Sequence, residues 1–230
     1  MPREHFERHL QGLLDQVLIL GSMVDQAMTE AMEALQRQDH AAARRIYDND
    51  LRVNQRRYAL EDECITIIAT QQPMARDVRF LAAILEIITE LERIGDYAKG
   101  ISKINLQLGE DPVEPSILLD LQNMASLGLD MLKRALDAFI AGNAEAARAI
   151  ALEDDAVDAL YLQIYRKVMA LSLENPSGIE HFNHLMWTAH NLERMADRVT
   201  NICERIVYVA TGEMKELDTT NGLSIEGEYG

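Results

Sequence analysis

The segment LERIGDYAKGI (residues 91–101) returns 101 positions later as LERMADRVTNI (residues 192–202). Each copy holds a glutamate and an aspartate four residues apart, Glu92 with Asp96 and Glu193 with Asp197. Residues with this spacing share one face of an α-helix, where two like charges repel by roughly a few tenths of a kcal/mol. The sequence therefore predicts a compensating cation at each copy, either a basic side chain from a facing helix or a bound metal ion.

The composition indicates an all-α fold with an acidic surface. Only 5% of the 230 residues are aromatic, and helix-forming residues such as Ala, Leu and Glu are abundant. The net charge of −16 argues against a nucleic-acid partner. Cys64 and Cys203 lack CxxC spacing, which predicts buried reduced thiols. No apolar run approaches the roughly 18 residues that a membrane span needs, so a cytoplasmic protein without direct membrane insertion is expected.

Apolar residues follow a helical period from the start of the chain. From Phe6 they alternate at spacings of four and three, which predicts one long helix ending near Arg37. Asp39 is a predicted N-cap for a second helix, which continues from residue 43 to 69. Pro73 ends that helix region, and a third helix, predicted to be the most buried of the three, runs from about residue 75 to 106.

The same pattern then restarts. The Pro- and Gly-containing stretch GEDPVEP (109–115) predicts a linker. A fourth helix follows, Asn143 is the predicted N-cap of a continuous fifth helix, and a sixth helix carries the second motif. The predicted fold is thus a tandem repeat of two three-helix bundles, residues 1–108 and 116–212, followed by a flexible acidic tail at 213–230.

A second pair of polar residues interrupts the apolar seam of the second and fifth helices. If the helices of each bundle pack antiparallel, this pair converges with the Glu/Asp motif. Shared carboxylates resist full ionisation without a cation, and oxygen ligands suit hard divalent ions or iron. The additional candidate ligands are Asp50 and Asn54 in the first repeat and Asp154 and Asp158 in the second.

Ordinary inter-helix salt bridges, or simple solvation, remain the alternative explanation for these acids. Arg57 stands in the first seam and could neutralise Glu92 or Asp96, but its counterpart in the second repeat is the uncharged Tyr161. Three histidines near the second motif have no equivalents in the first repeat. We expect them to be surface or structural residues and not ligands: His181, His184 and His190.

The doubled LERIGD and LERMAD motifs, the QQPMARDVR loop (71–79) and the three-helix repeat resemble the PhoU family of phosphate-specific transport system accessory proteins. The resemblance implies two three-helix bundles, often in a homodimer, in the bacterial cytoplasm. It also implies metal binding, in some members, at Glu92, Asp96, Glu193 and Asp197. Asn201, one turn beyond Asp197, has Gly100 as its counterpart, so a ligand there would belong to the second site alone.

The same resemblance implies a non-enzymatic regulator of phosphate homeostasis. Such proteins repress high-affinity phosphate uptake and the phosphate-starvation response, and they contact the ATPase subunit of the phosphate ABC transporter and a membrane sensor histidine kinase. A carboxylate-bundle metalloprotein, either a metal-dependent hydrolase or an iron-handling protein, is the alternative. The sequence contains no P-loop, no nucleophile elbow and no Glu-x-x-His motif, which counts against that alternative.

Overall fold

The computed structural model describes residues 2–109 and 111–217, and all the regular secondary structure in those ranges is helical. Short connections join the helices, and a 3₁₀ turn (Pro176–Gly178) precedes the last one. The helices in chain order are α1 (Pro2–Arg37), α2 (His40–Gln71), α3 (Ala75–Leu108), α4 (Pro115–Ala141), α5 (Ala144–Ala151), α6 (Asp154–Glu174) and α7 (Ile179–Thr211).

The predicted helix starts are confirmed at both capping residues. Asp39 accepts a hydrogen bond from the amide of Ala42 at 2.9 Å, and Asn143 accepts one from the amide of Ala146 at 3.1 Å. Each bond satisfies one of the amides that a helix N-terminus leaves without a partner. Pro73 lies in the gap between α2 and α3, as predicted.

The prediction of one continuous fifth helix is wrong, because a turn at Leu152 and Glu153 divides it into α5 and α6. Here the amide of Glu153 donates to the carbonyl of Ile150, and the amide of Ala156 donates to that of Glu153, both at 3.0 Å. These are the three-residue bonds of a 3₁₀ turn. The Glu153 carboxylate pairs with the Arg134 guanidinium of α4. Apolar periodicity missed the turn because the seam stays buried on both sides of it.

The two bundles share one hydrophobic core. Helices α1 to α3 form the first bundle and α4 to α7 the second, and α3 and α7 lie against each other in the most extensive helix contact. Helix α3 buries 17 of its 34 residues, whereas α2 buries 7 of 32, so the predicted burial of the third helix is confirmed. The buried apolar residues of all seven helices belong to a single cluster. The motif helices α3 and α7 are therefore the central pair.

The connection between the bundles is tied to the turn between α1 and α2. The Gln38 amide donates to the carbonyl of Asp111 at 2.6 Å, and Nε2 of His40 lies 3.0 Å from the carbonyl of Gly109. The predicted boundaries of the two units remain a prediction. Of the predicted tail, residues 218–230 lie outside the described residues, and the amide of Leu217 donates to Glu204 at 2.9 Å. None of the described helices combines the length and apolarity needed to cross a bilayer.

Candidate metal centres

The first cluster of acids forms where α2 packs against α3. Glu92 and Asp96 lie within electrostatic reach of Asp50, so the predicted convergence of the two helices is present. Burial raises the pKa of Glu92, and the Asp96 and Asp50 charges raise it further. Burial and the Asp50 charge likewise raise the pKa of Asp96. The Asn54 amide donates to Asp50 at 3.2 Å.

A lysine from the motif itself enters this first cluster. The ammonium of Lys99 lies 2.7 Å from Oδ2 of Asp50 and 3.9 Å from Oδ1 of Asp96. Asp50 is only 6% exposed, so its charge needs a close partner. The hydrogen bond to Asp50 raises the pKa of Lys99, which keeps the ammonium protonated. In this structure the Lys99 ammonium therefore supplies positive charge beside Asp50 and Asp96.

The second cluster forms where α6 packs against α7 and contains four carboxylates: Asp154, Asp158, Glu193 and Asp197. Burial, followed by the charge of Asp197, raises the pKa of Asp154 to about 7 and that of Glu193 to about 7. Burial also raises the pKa of Asp158 and of Asp197. Physically, each carboxyl has lost water and gained negative neighbours, so full ionisation is costly.

Buried oxygens in this second cluster lack hydrogen-bond partners. Oδ1 of Asp154 and Oε2 of Glu193 are inaccessible to solvent and accept no hydrogen bond, and the Thr200 hydroxyl beside the motif has no partner either. Nδ1 of His190 is 3.4 Å from Oε2 of Glu193, an ion pair only when the imidazole is protonated. The cluster therefore has unsatisfied acceptors of the type that a hard cation binds.

Two of the predicted participants take other partners. Arg57 pairs with Glu61 at 2.8 Å, so its charge reaches Glu92 only from a distance, where it lowers the pKa of that carboxyl. The Asn201 amide donates to Glu90 of α3 at 3.3 Å. Asn201 thus contributes to the contact between the bundles in this structure.

The donor set of the second cluster fits a divalent or iron ion, and its side-chain positions would have to adjust to hold one. Its four carboxylates are hard oxygen ligands, and Oδ1 of Asp154 and Oε2 of Glu193 accept no hydrogen bond. As the side chains stand, no group of three or more His, Cys, Asp or Glu residues within the described ranges is arranged around a single ion position. A bound cation would neutralise the carboxylates and crosslink α6 to α7.

Two residues that shape these sites, Lys99 and Glu90, were not predicted from the sequence. Lys99 stands three residues after Asp96, on the same helix face, and a comparison of the two motif copies would have shown that Thr200 replaces it. His190, predicted to be a surface or structural residue, stands three residues before Glu193 and lies beside it. Glu90 is a lone charge in the apolar stripe of α3, and that pattern marks it as a buried residue in need of a partner.

The fold and the sites define a class of all-α proteins in which a three-helix unit occurs twice and each copy carries a carboxylate motif. A family model described as the PhoU domain matches the chain twice, at residues 17–104 and 121–206. This chain belongs to the PhoU family.

Individual relatives match over nearly their whole length. A "phosphate-specific transport system accessory protein PhoU homolog" of Clostridium acetobutylicum is 33% identical, covering 95% of this chain and all of the relative. The Escherichia coli (strain K12) protein, also named as an accessory protein of that system, is 35% identical over 90% of this chain and 86% of its own. The crystal structure of the "phosphate transport system regulatory protein PhoU" from Streptococcus pneumoniae superposes with a TM-score of 0.86 at 33% identity, covering 91% of this chain and 99% of that one.

Proposed function

We propose that this protein is a non-enzymatic regulatory adaptor of phosphate homeostasis in the bacterial cytoplasm. In this role it represses high-affinity phosphate uptake and the phosphate-starvation response, and it couples the ATPase subunit of the phosphate ABC transporter to the membrane sensor histidine kinase. The observation that carries the proposal is the match of the whole two-bundle fold to a phosphate transport regulatory protein. The relatives are named as accessory or regulatory proteins and not as enzymes.

Exposed apolar residues on the outer helices support an adaptor role. On α2, Tyr58 is 62% and Ile65 is 52% exposed, and on α6 their counterparts 104 residues later, Leu162 and Met169, are 50% and 41% exposed. Apolar side chains seven residues apart form a stripe that a partner helix can cover. The proposed occupants are the transporter ATPase and, in a homodimer, a second copy of the chain.

The second proposed component is a divalent or iron ion at the second cluster. Asp154, Asp158, Glu193 and Asp197 would hold it, since their mutual repulsion and the unsatisfied oxygens of Asp154 and Glu193 favour a cation. The ion supplies positive charge that neutralises these carboxylates. Its role in the proposal is structural, because it stabilises the packing of α6 on α7.

A reporter assay tests the regulatory role. Cells that lack the gene carry a phosphatase reporter of the starvation response and grow in phosphate-rich medium. Wild type is expected to silence the reporter, whereas the variant with Ala at Glu92, Asp96, Glu193 and Asp197 is expected to silence it less. The double variant Glu86→Ala/Glu180→Ala, which removes exposed acids from the same two helices, is the matched control. Failure of wild type to silence the reporter would refute the proposed regulation.

A second assay tests the exposed stripes. The variants Ile65→Glu on α2 and Met169→Glu on α6 are expected to derepress the reporter and to weaken co-purification with the transporter ATPase. The control is Ile19→Glu, which places the same charge at an exposed apolar site on α1. Sedimentation of each variant separates the two occupants: if the stripes bind only a second copy, the variants lose the dimer and keep the ATPase.

A further inference from the structure

The two motif copies differ at the third residue after their aspartate. The first reads DYAK and ends at Lys99, and the second reads DRVT and ends at Thr200. Both positions lie on the central helices, one turn from the motif aspartate. The copies also differ one residue after the aspartate, where the first has Tyr97 and the second has Arg198, so each copy carries its basic side chain at a different place.

In the first cluster the Lys99 ammonium lies among the carboxylates, where a metal ion would otherwise bind. The ammonium is 2.7 Å from the buried Asp50 and 3.9 Å from Asp96, and it also lies 5.5 Å from the centroid of the Tyr47 ring. The Asn54 amide donates to the same oxygen of Asp50 that Lys99 contacts. A metal ion that bound this oxygen would have to displace both donors, and the displaced ammonium would have to leave a partly buried site.

In the second cluster the guanidinium of Arg198 lies 4.0 Å from Oδ2 of Asp197 and 3.3 Å from Glu90 outside the cluster. Oδ1 of Asp154, the counterpart of Asp50, has no hydrogen-bond partner. Thr200 is uncharged, its hydroxyl is buried without a hydrogen-bond partner, and Asp158 stands where the first cluster has Asn54. The first cluster combines three carboxylates with the Lys99 ammonium, a formal charge of −2, and the second combines four carboxylates with the Arg198 guanidinium, a formal charge of −3. The attraction for a divalent ion is correspondingly stronger at the second cluster.

We propose that Lys99 is the built-in cation of the first cluster, so that this cluster takes no metal ion and the chain binds metal at the second cluster alone. Residues 99 and 200, together with 54 and 158, then set the metal capacity of each bundle. The part of the inference that concerns the second cluster rests on the metal site proposed there. The part that concerns the first cluster, where Lys99 excludes metal, rests on the ion pair between Lys99 and Asp50.

Exchange of the distinguishing residues between the clusters tests the proposal. The protein is purified as the full chain, stripped with chelator and dialysed against Mn²⁺, and bound Mn²⁺ is measured by elemental analysis and electron paramagnetic resonance. Wild type is expected to bind one ion per chain. The variant Asn54→Asp/Lys99→Thr is expected to bind two, and Asp158→Asn/Thr200→Lys is expected to bind none. Lys103→Thr, one turn further along the exposed side of α3, should bind as wild type does.

The possible outcomes separate this inference from the proposed metal function. Two ions in wild type, or no gain in the variant with the first cluster converted, would overturn the role of Lys99. No ion in wild type but one in the converted variant would uphold Lys99 and refute the metal site in the second cluster. No binding by any variant would overturn both. Circular dichroism and thermal melting of each variant establish that it is folded.

Discussion

Asp154 and Glu193 are partly buried carboxyl groups with several acidic neighbours, and this environment raises the pKa of both. Burial and negative neighbours raise the pKa of each to about 7, well above their ordinary values of 3.8 and 4.5. At pH values between the ordinary and the raised pKa of each group, the folded protein binds more protons than the unfolded chain does. The free energy of unfolding contributed by these groups therefore falls as the pH rises through the window from about 4 to 7.

Replacing one of these carboxyls tests the cost of this ionisation. We expect Asp154→Asn to raise the free energy of unfolding of the metal-free protein at pH 8 by about 1–2 kcal/mol, after a discount for solvent screening. At pH 4.5 the gain should disappear, because Asp154 is then protonated in the folded state. Chemical denaturation in the presence of EDTA at both pH values measures the difference. Asp62→Asn, at an exposed site on α2, is the control; an equal gain at both pH values would contradict the prediction.

The two cysteines are buried and unpaired, as predicted from their spacing. Burial raises the pKa of Cys64 to about 12 and that of Cys203 to about 12. Since the thiolate is the reactive form, both thiols should resist modification in the folded protein. We expect no reaction with a thiol-specific disulfide reagent at pH 8 within an hour, and two thiols to react in guanidinium chloride. Rapid reaction of either thiol in the native state would show that its helix opens.

At the scale of the helix, the N-cap residues are the features that most directly predict where a helix begins. Asp39 and Asn143 occupy equivalent places before α2 and α5, and each accepts one amide hydrogen bond. We expect Asp39→Ala and Asn143→Ala each to lower the free energy of unfolding by about 1 kcal/mol. Asp39→Asn, which keeps an acceptor, should cost much less, and urea denaturation measures all three. Equal losses for Ala and Asn would show that the cap bond is not the cause.

The division between α5 and α6 is also an element-scale feature. Its turn places Glu153 beside Arg134 of α4, and that guanidinium also bonds Asp130 at 2.7 Å. The hydrogen bond from Arg134 lowers the pKa of Glu153. Helix α6 begins at Asp154, so the first acid of the second cluster lies at a helix N-terminus. Its counterpart Asp50 lies inside the continuous helix α2.

At the scale of the whole molecule, a buried polar group joins the bundles. Glu90 of α3 is 5% exposed, and its carboxylate lies 2.7 Å from the guanidinium of Arg93. The Arg198 guanidinium and the Asn201 amide, both from α7, also contact this carboxylate, each at 3.3 Å. Removing one partner of a buried ion pair leaves the other charge uncompensated. The contact thus stabilises one particular alignment of α3 on α7.

A double-mutant cycle measures this coupling. We expect Glu90→Ala to lower the free energy of unfolding by about 3 kcal/mol, and Glu90→Ala/Arg198→Ala to cost less than the sum of the single changes. Glu86→Ala, at an exposed position one turn earlier on α3, should be nearly neutral. Unfolding should remain one cooperative transition in wild type because the two bundles share a core. Strict additivity in the cycle would show that Glu90 and Arg198 do not interact.

The sequence by itself determined the helical fold, the two-fold repeat and the capped starts of α2 and α5. These follow from apolar periodicity and capping residues, which act over a few neighbouring positions. It also identified the converging acids Asp50, Glu92 and Asp96 and their counterparts, because acids occur at equivalent positions in both repeats. The prediction of metal at both clusters stays a prediction.

Only the tertiary structure decided which side chains surround each cluster and which contacts hold the bundles together. Lys99 reaches Asp50 across 49 positions of sequence, and Glu90 meets Arg198 across 108. Helical periodicity assigns a residue to a face and contains no information on which distant side chain lies opposite. The pairing of Lys99 with Asp50, and the absence of a cationic counterpart at Thr200, became visible once packing had brought α2 to α3 and α6 to α7.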